Sequence, residues 1–206
     1  MVSRYCQFEV ESAILVLSPR KKRTMPPQDL YYLSIAEAAQ LMRDRQVSSV
    51  ELTQAYLDRI GALDGVLNSY ITVLGERAIA QAQVADQHFA SGRALGPLQG
   101  IPIAVKDILY TKGIPTTAGS RVLDNFIPDY DSTVVEKMEK GGVVLLGKLN
   151  LMEFAMGGSM DNVRFGAIHN PWNLDYYPGG SSSGSGAAVA GGLAMGAIGT
   201  DTGGSI

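Results

Sequence analysis

The stretch Gly100-Ile-Pro-Ile-Ala-Val-Lys-Asp107 decides the fold class of this chain. Five apolar residues in a row, bounded by glycine and charged residues, predict a short buried strand. Lys106 and Asp107 follow at once, so the sequence sets a lysine at a strand end beside the core.

Helices and further strands alternate on both sides of this stretch. Two capping boxes, Ser34 with Glu37 and Ser48 with Glu51, precede apolar residues at helical spacing and predict two amphipathic helices. Further helices are predicted over residues 75–91, 132–140, 150–156 and 187–190, and strands over 68–74, 143–146 and 194–200. This alternation predicts an α/β fold.

The composition excludes several classes of protein. The chain has 206 residues, of which 46% are hydrophobic and 18% charged, so it can bury a sizeable core in one or two domains. A net charge of −3 argues against direct binding of nucleic acid. No apolar run approaches the ~18 residues of a membrane span. Cys6 is the single cysteine, which excludes an internal disulfide and a Cys/His metal site and favours the reducing cytoplasm.

Residues 1–24 have two interpretations. They are either a disordered tail or a gene-model artefact, in which case Met25 is the true start.

Two motifs suggest chemistry that their surroundings do not support. Residues 142–148 approach a phosphate-binding loop, but Leu149 stands where Ser or Thr is needed, so we expect a strand followed by a surface lysine, Lys148. Residues 180–184 match the G-x-S-x-G nucleophile elbow, but a turn precedes them and both histidines, His88 and His169, come earlier in the chain. A serine nucleophile would therefore need another base.

Lys106 is the candidate base. A free lysine has a pKa near 10.4, and lowering it by ~3 units costs about 4 kcal/mol, which burial can supply. Asp107 either pairs with Lys106 or turns away from it. Taken alone, a lysine at a strand end is more often a surface charge.

The glycine-rich segments over residues 178–190 and 199–206 favour the catalytic interpretation. Ten of the 24 glycines lie between Gly179 and Gly204, and four of them are directly next to serines. Bare backbone N–H groups beside a serine are what an oxyanion hole requires. The segments 187–190 and 193–198 are too apolar for a solvated Gly/Ser linker.

The lysine at the strand end and the glycine- and serine-rich segments together resemble the amidase signature family. The resemblance covers roughly residues 30–206 and rests on five ordered motifs, at residues 100–107, 147–157, 170–172, 178–182 and 199–205. It implies a mixed β-sheet core covered by helices on both faces, incomplete in this chain. Because the family's domain is longer, residues 25–206 are expected to be the N-terminal part of a single amidase signature domain.

The resemblance also implies a Ser-Ser-Lys triad and no cofactor or metal. Ser205 corresponds to the nucleophile, Ser181 to a bridging serine on a cis Gly180–Ser181 bond, and Lys106 to the base. The resemblance further implies an oxyanion hole formed by the backbone N–H groups of Thr202, Gly203, Gly204 and Ser205. It also implies Ser182 as a supporting serine. The segment implied to line the acyl pocket is Met156, Gly157 and Gly158.

Three functions follow from the resemblance. The first is hydrolysis of a carboxylic amide C–N bond in a small molecule through a serine acyl-enzyme, which releases ammonia or an amine. The second is the glutaminase (A) subunit of a tRNA-dependent amidotransferase, which delivers ammonia to a partner subunit. The third is an inactive truncated fragment or binding module, and we expect the 206-residue chain itself to show little activity. The sequence leaves the oligomeric state open.

Overall fold

A computed structural model describes residue 26 and residues 30–93, 95–156 and 161–206. The predicted tail, residues 1–24, lies outside the described residues.

Both predicted capping boxes are present at helix starts. The Ser34 hydroxyl accepts the Glu37 N–H at 3.2 Å, and the Glu37 carboxylate accepts the Ser34 N–H at 2.8 Å. Ser48 and Glu51 make the same reciprocal pair at 3.0 and 2.9 Å. Each box satisfies N–H groups that the first helical turn leaves unpaired. The helices are α1 (Ile35–Arg43), α2 (Ser49–Leu67), α3 (Gly75–Ala90), α4 (Thr133–Lys140) and α5 (Ser183–Ala190).

A mixed four-stranded sheet forms the centre, which confirms the predicted fold class. The strand order is β1 (Tyr70–Val73), β3 (Val144–Leu149), β2 (Pro102–Lys106) and β6 (Gly196–Ile198). Strand β2 is parallel to both of its neighbours, and β1 is antiparallel to β3. Every residue of β2 and β3 is buried, which the apolar runs predict for residues 101–105 and 143–146. Two short strands, β4 (Asp161–Asn162) and β5 (Gly166–Ala167), form a separate antiparallel pair.

The helices flank this sheet and share one hydrophobic core with it. Leu52 and Ile60 of α2 and Ala78 of α3 are buried in the same cluster as Leu146 of β3. One carboxylate, that of Asp86 on α3, accepts the N–H groups of the first two α2 residues at 2.7 and 3.1 Å. The packing of α2 on α3 is therefore fixed by a polar contact as well as by apolar burial.

The segment after β3 differs from the predicted helix over residues 150–156. It contains a single 3-10 turn, Glu153–Ala155, in which Phe154 and Ala155 have φ of 51° and 55°. Asn150 does not cap a helix, because its side chain donates to the Asn68 carbonyl at 3.2 Å and accepts the Leu151 N–H at 2.9 Å. Those contacts turn the chain away from the strand direction.

The expected exposure of Lys148 is wrong. Its side chain is fully buried, and Nζ lies 3.1 Å from Asp107 Oδ1 while donating to the Leu109 carbonyl at 2.8 Å. Burial lowers the pKa of Lys148, and Asp107 opposes that change. The other Asp107 oxygen accepts the N–H of Thr117 at 2.9 Å. Asp107 thus turns away from Lys106 and pairs with a lysine of the neighbouring strand.

Replacing Lys148 should destabilise the fold strongly. Lys148→Met leaves the Asp107 carboxylate buried without its counter-charge, so the free energy of unfolding should fall by about 3–5 kcal/mol. The exposed ion pair of Lys140 and Glu136 provides a control, since Lys140→Met should cost at most about 0.5 kcal/mol. Urea unfolding curves measure both, and equal small losses would contradict a structural role for the buried pair.

Candidate active site

The side chain of Lys106 lies at the centre of a group of hydroxyls. Lys106 is fully buried at the carboxyl end of β2. Its Nζ donates to Ser181 Oγ at 2.8 Å, to Ser182 Oγ at 2.9 Å and to Thr200 Oγ1 at 2.8 Å. Two separate segments of the chain, the one with Ser181 and Ser182 and the one with Thr200, therefore meet at the amine of Lys106.

The sheet places the two buried lysines on opposite faces. Lys106 is level with Leu149 across the parallel pair, and Val105 is level with Lys148. Because neighbouring residues of a strand point to opposite faces, the Lys148–Asp107 pair lies on the face away from the serines.

Burial changes the protonation of Lys106. Removal of the ammonium from water lowers the pKa of Lys106 to about 8, and the nearby Asp201 carboxylate partly opposes this change. Its three hydrogen-bond partners are neutral hydroxyls, which satisfy the N–H groups without supplying a counter-charge. The amine is therefore much closer to neutrality at physiological pH than a free lysine.

Ser181 and Ser182 precede helix α5 in a tightly packed loop. The Gly180–Ser181 peptide bond is cis, the conformation that the resemblance implied. The Ser181 carbonyl accepts the Met152 N–H at 3.2 Å. The Ser182 hydroxyl accepts the Thr200 N–H and donates to the Thr200 carbonyl, both at 3.2 Å. These bonds tie the serine loop to the segment after β3 and to the end of β6.

Ser205 lies in the loop after β6, beside the same group. Its carbonyl accepts the Ser182 N–H at 3.1 Å. Its side chain is partly exposed, and among the described residues no hydrogen bond joins its hydroxyl to Ser181 or Lys106. The structure therefore brings Lys106, Ser181 and Ser182 into direct contact and places Ser205 next to them through the main chain.

Three of the four backbone N–H groups predicted to form an oxyanion hole, those of Gly203, Gly204 and Ser205, face the carboxylate of Asp201. Asp201 accepts the N–H of Gly204 at 2.6 Å and that of Ile206 at 3.3 Å. These N–H groups, with those of Gly203 and Ser205, lower the pKa of Asp201. The turn thus directs several donors at one negative charge, which is the property an oxyanion hole needs.

The remaining predicted residues have mixed outcomes. Met156 follows the 3-10 turn and is 71% exposed. Gly157 and Gly158 lie outside the described residues. Thr200 is a contact of Lys106 that the sequence analysis missed, although it is the last residue of the strand predicted over residues 194–200.

The described part of the chain lacks two features. None of its helices is long and apolar enough to cross a membrane. Its histidine, cysteine and acidic side chains form no group of three that could hold a metal ion.

Together, the mixed sheet and the buried amine define an α/β protein with a lysine–serine hydroxyl site at a strand end. Comparison with known proteins is more specific. Residues 51–206 match the family model described as Amidase, and the chain belongs to the amidase family.

Curated relatives share more than half of their aligned residues with this chain. The A subunit of Glutamyl-tRNA(Gln) amidotransferase from Coxiella burnetii (strain RSA 493 / Nine Mile phase I) is 55% identical over 177 residues, 86% of this chain and 36% of that protein. Its counterpart in Methylococcus capsulatus is 57% identical over 173 residues, 84% of this chain and 36% of that protein. The chain thus spans about a third of the length of these relatives.

Solved amidase structures share the fold. A fatty acid amide hydrolase superposes with a TM-score of 0.84 at 31% identity, over 89% of this chain and 32% of that one. Native peptide amidase from Stenotrophomonas maltophilia superposes with a TM-score of 0.74 at 38% identity, over 79% of this chain and 35% of that one.

The close packing of α5 predicts a large effect of one methyl group. A Cβ at Gly184 would lie under 3.0 Å from backbone atoms of Asn150 and Ser69, whereas at Gly186 the nearest atom is 3.9 Å away. Gly184→Ala should therefore cost about 1–3 kcal/mol of stability and disturb the serine loop. Gly186→Ala should instead be neutral or stabilising by up to ~1 kcal/mol, because alanine favours a helix.

Thermal unfolding of both variants, with circular dichroism at 222 nm as the readout, tests this pair. Equal melting temperatures for Gly184→Ala and Gly186→Ala would contradict the backbone contact.

Proposed function

We propose that this chain carries the machinery of an amide hydrolase, with Ser205 as nucleophile, Ser181 as the bridging hydroxyl and Lys106 as base. The observation that carries the proposal is the 2.8 Å hydrogen bond between the buried Lys106 amine and Ser181, together with the pKa of Lys106 near 8. Membership of the amidase family supports the same chemistry.

The lowered pKa makes lysine a workable base. With a pKa of about 8, roughly a tenth of the Lys106 amines are neutral at pH 7, and only a neutral amine can accept a proton. A lysine with an unperturbed pKa would be neutral in fewer than about one molecule in a thousand.

In the first half-reaction, Ser205 Oγ attacks the amide carbonyl carbon. The Ser205 proton passes to Ser181 Oγ while the Ser181 proton passes to Lys106 Nζ. The tetrahedral intermediate then breaks its C–N bond, and the proton returns through Ser181 to the leaving nitrogen. Ammonia or an amine departs and leaves an ester on Ser205.

In the second half-reaction, water attacks the ester and loses its proton by the same route, which frees the acid and restores the serine. The backbone N–H groups of Gly203, Gly204 and Ser205 stabilise the negative oxygen in both halves. Because these groups face the Asp201 carboxylate, the oxyanion replaces a carboxylate oxygen there. Ser182 supports the network through its bonds to Lys106 and Thr200.

The substrate that we propose is the side-chain amide of glutamine, with the ammonia passed to a partner subunit. Curated relatives at 52–57% identity are A subunits of Glutamyl-tRNA(Gln) amidotransferases, whereas the solved amidases that we compare are 31–38% identical. This difference reverses the order that the sequence motifs favour, in which a general amidase comes first. Residues 25–206 would belong to one domain of such an enzyme, and the single cysteine supports a cytoplasmic location.

A general amidase is the second candidate. The fold similarity to a peptide amidase and to a fatty acid amide hydrolase supports it. Met156, Gly157 and Gly158 remain the proposed acyl-pocket residues under either function.

The two candidate functions differ in the substrate and the partner subunits that ammonia release requires. Ammonia release should be measured for the full gene product with glutamine and with a simple primary amide, each with and without co-expressed amidotransferase partner subunits. We expect release from glutamine that depends on the partners, and Ser205→Ala or Lys106→Ala should reduce it at least about 10³-fold. Ser91→Ala, at the exposed end of α3, serves as the control and should leave the rate unchanged.

Equal release from the simple amide without partners would favour the general amidase. Activity that survives both Ser205→Ala and Lys106→Ala would refute the triad itself.

The pH dependence tests the base directly. Because protonated Lys106 cannot accept a proton, kcat/KM should be low below the pKa of Lys106 and should rise with pH through a midpoint near 8. Asp201→Asn removes the charge that raises this pKa, so the midpoint should move to lower pH. Lys140→Met alters an exposed lysine and should not move it. A profile that is flat from about pH 6 to 9 would argue against lysine as the base.

A further inference from the structure

The Thr200 hydroxyl is the third hydrogen-bond partner of Lys106 and takes no part in the proton transfer proposed above. We propose that Thr200 is a positioning residue, which holds one N–H of Lys106 so that the lone pair of the neutral amine faces Ser181. This inference rests on the function proposed above and names a residue on which its proton transfer depends.

The number of hydrogens on the Lys106 amine determines how many of its three hydroxyl partners can act as acceptors. A lysine ammonium has three N–H donors, and Ser181, Ser182 and Thr200 accept them at 2.8, 2.9 and 2.8 Å. The neutral amine has two hydrogens and a lone pair. When Lys106 loses a proton, one of the three hydroxyls must therefore change from acceptor to donor.

Ser182 is excluded from that change. Its hydroxyl hydrogen already points to the Thr200 carbonyl at 3.2 Å, and its oxygen also accepts the Thr200 N–H at 3.2 Å. Because a hydroxyl has a single hydrogen, Ser182 stays an acceptor from Lys106. Ser181 and Thr200 are the two remaining hydroxyls, and proton transfer from Ser205 requires Ser181 to be the donor.

The main chain fixes where the Thr200 hydroxyl lies. Thr200 closely follows β6, which pairs in parallel with β2, the strand that carries Lys106. Both backbone polar groups of Thr200 bond to Ser182. Thr200 is therefore held between the strand and the serine loop, with its hydroxyl set against the amine.

The charges around the amine are few. From the loop after β6, Asp201 raises the pKa of Lys106. From β3, Lys148 is paired with Asp107 on the opposite face of the sheet. Loss of the Thr200 hydroxyl removes one acceptor from the protonated amine, so it should lower the pKa of Lys106 further.

The test compares Thr200→Val, which removes the hydroxyl, with Thr200→Ser, which keeps it. A fluorophosphonate reports on the serine without needing the natural substrate. The Ser205 Oγ–P bond forms as the P–F bond breaks, fluoride leaves, and the serine proton passes through Ser181 to Lys106. Rates of labelling of the full gene product are measured against probe concentration and pH, beside Ser181→Ala and Lys106→Ala.

We expect Thr200→Val to lower the maximal labelling rate about 10- to 100-fold with little change in the half-saturating probe concentration, because the amine is misaligned rather than absent. The midpoint of its pH dependence should move to lower pH. Thr200→Ser should restore both the rate and the midpoint.

Labelling of Thr200→Val at the wild-type rate and midpoint would overturn this inference alone. A loss as large as that of Ser181→Ala would also overturn it, since Thr200 would then be the relay. Urea unfolding checks that Thr200→Val folds, and Thr200→Ala replaces it if it does not. Wild-type labelling that is absent, or that survives Lys106→Ala, would overturn the proposed function, and this inference with it.

Discussion

The burial of the Lys106 ammonium among neutral hydroxyls is the constraint on which the rest of the site depends. Moving an ammonium out of water is costly, and hydroxyl acceptors satisfy its hydrogens without cancelling its charge. The fold provides this environment by ending a fully buried strand on the lysine and bringing β6 and the serine loop over it. The chemistry is therefore a consequence of the packing at one end of the sheet.

Lys148 is a second buried lysine in the same sheet, but it is paired with a carboxylate. Both lysines are fully buried on neighbouring strands, yet Lys148 lies 3.1 Å from a carboxylate, and Lys106 touches none among the described residues. The alternation of side chains along β2 and β3 separates the two environments, since it puts Asp107 on the face of Lys148. A shift of one residue in the register of β3 against β2 would turn Lys148 to the face of Lys106 and leave Asp107 without its partner.

The family resemblance implied the mixed sheet. The sequence pattern predicted the α/β class, both capping boxes and the buried strands, because these features depend on local residues. It missed the burial of Lys148 and the turn at residues 150–156, because both depend on distant partners. Asp107 and Thr116 enclose Lys148, and Asn68 binds the Asn150 side chain. Thr200 was missed for the same reason, as only the parallel pairing of β6 with β2 brings it to Lys106.

The glycines at this end of the sheet have a physical role beyond loop flexibility. A Cβ at Gly184 would meet the backbone of Asn150, and one at Gly199 would lie 2.8 Å from Ser182 Oγ. Each missing side chain lets a segment approach close enough for its hydroxyl to reach the same amine. A buried amine can reach three acceptors from two loops only where the main chains pack this closely. The small residues are therefore a condition for the lowered pKa of the lysine. The glycine excess and the lysine at the strand end are thus two parts of the same requirement.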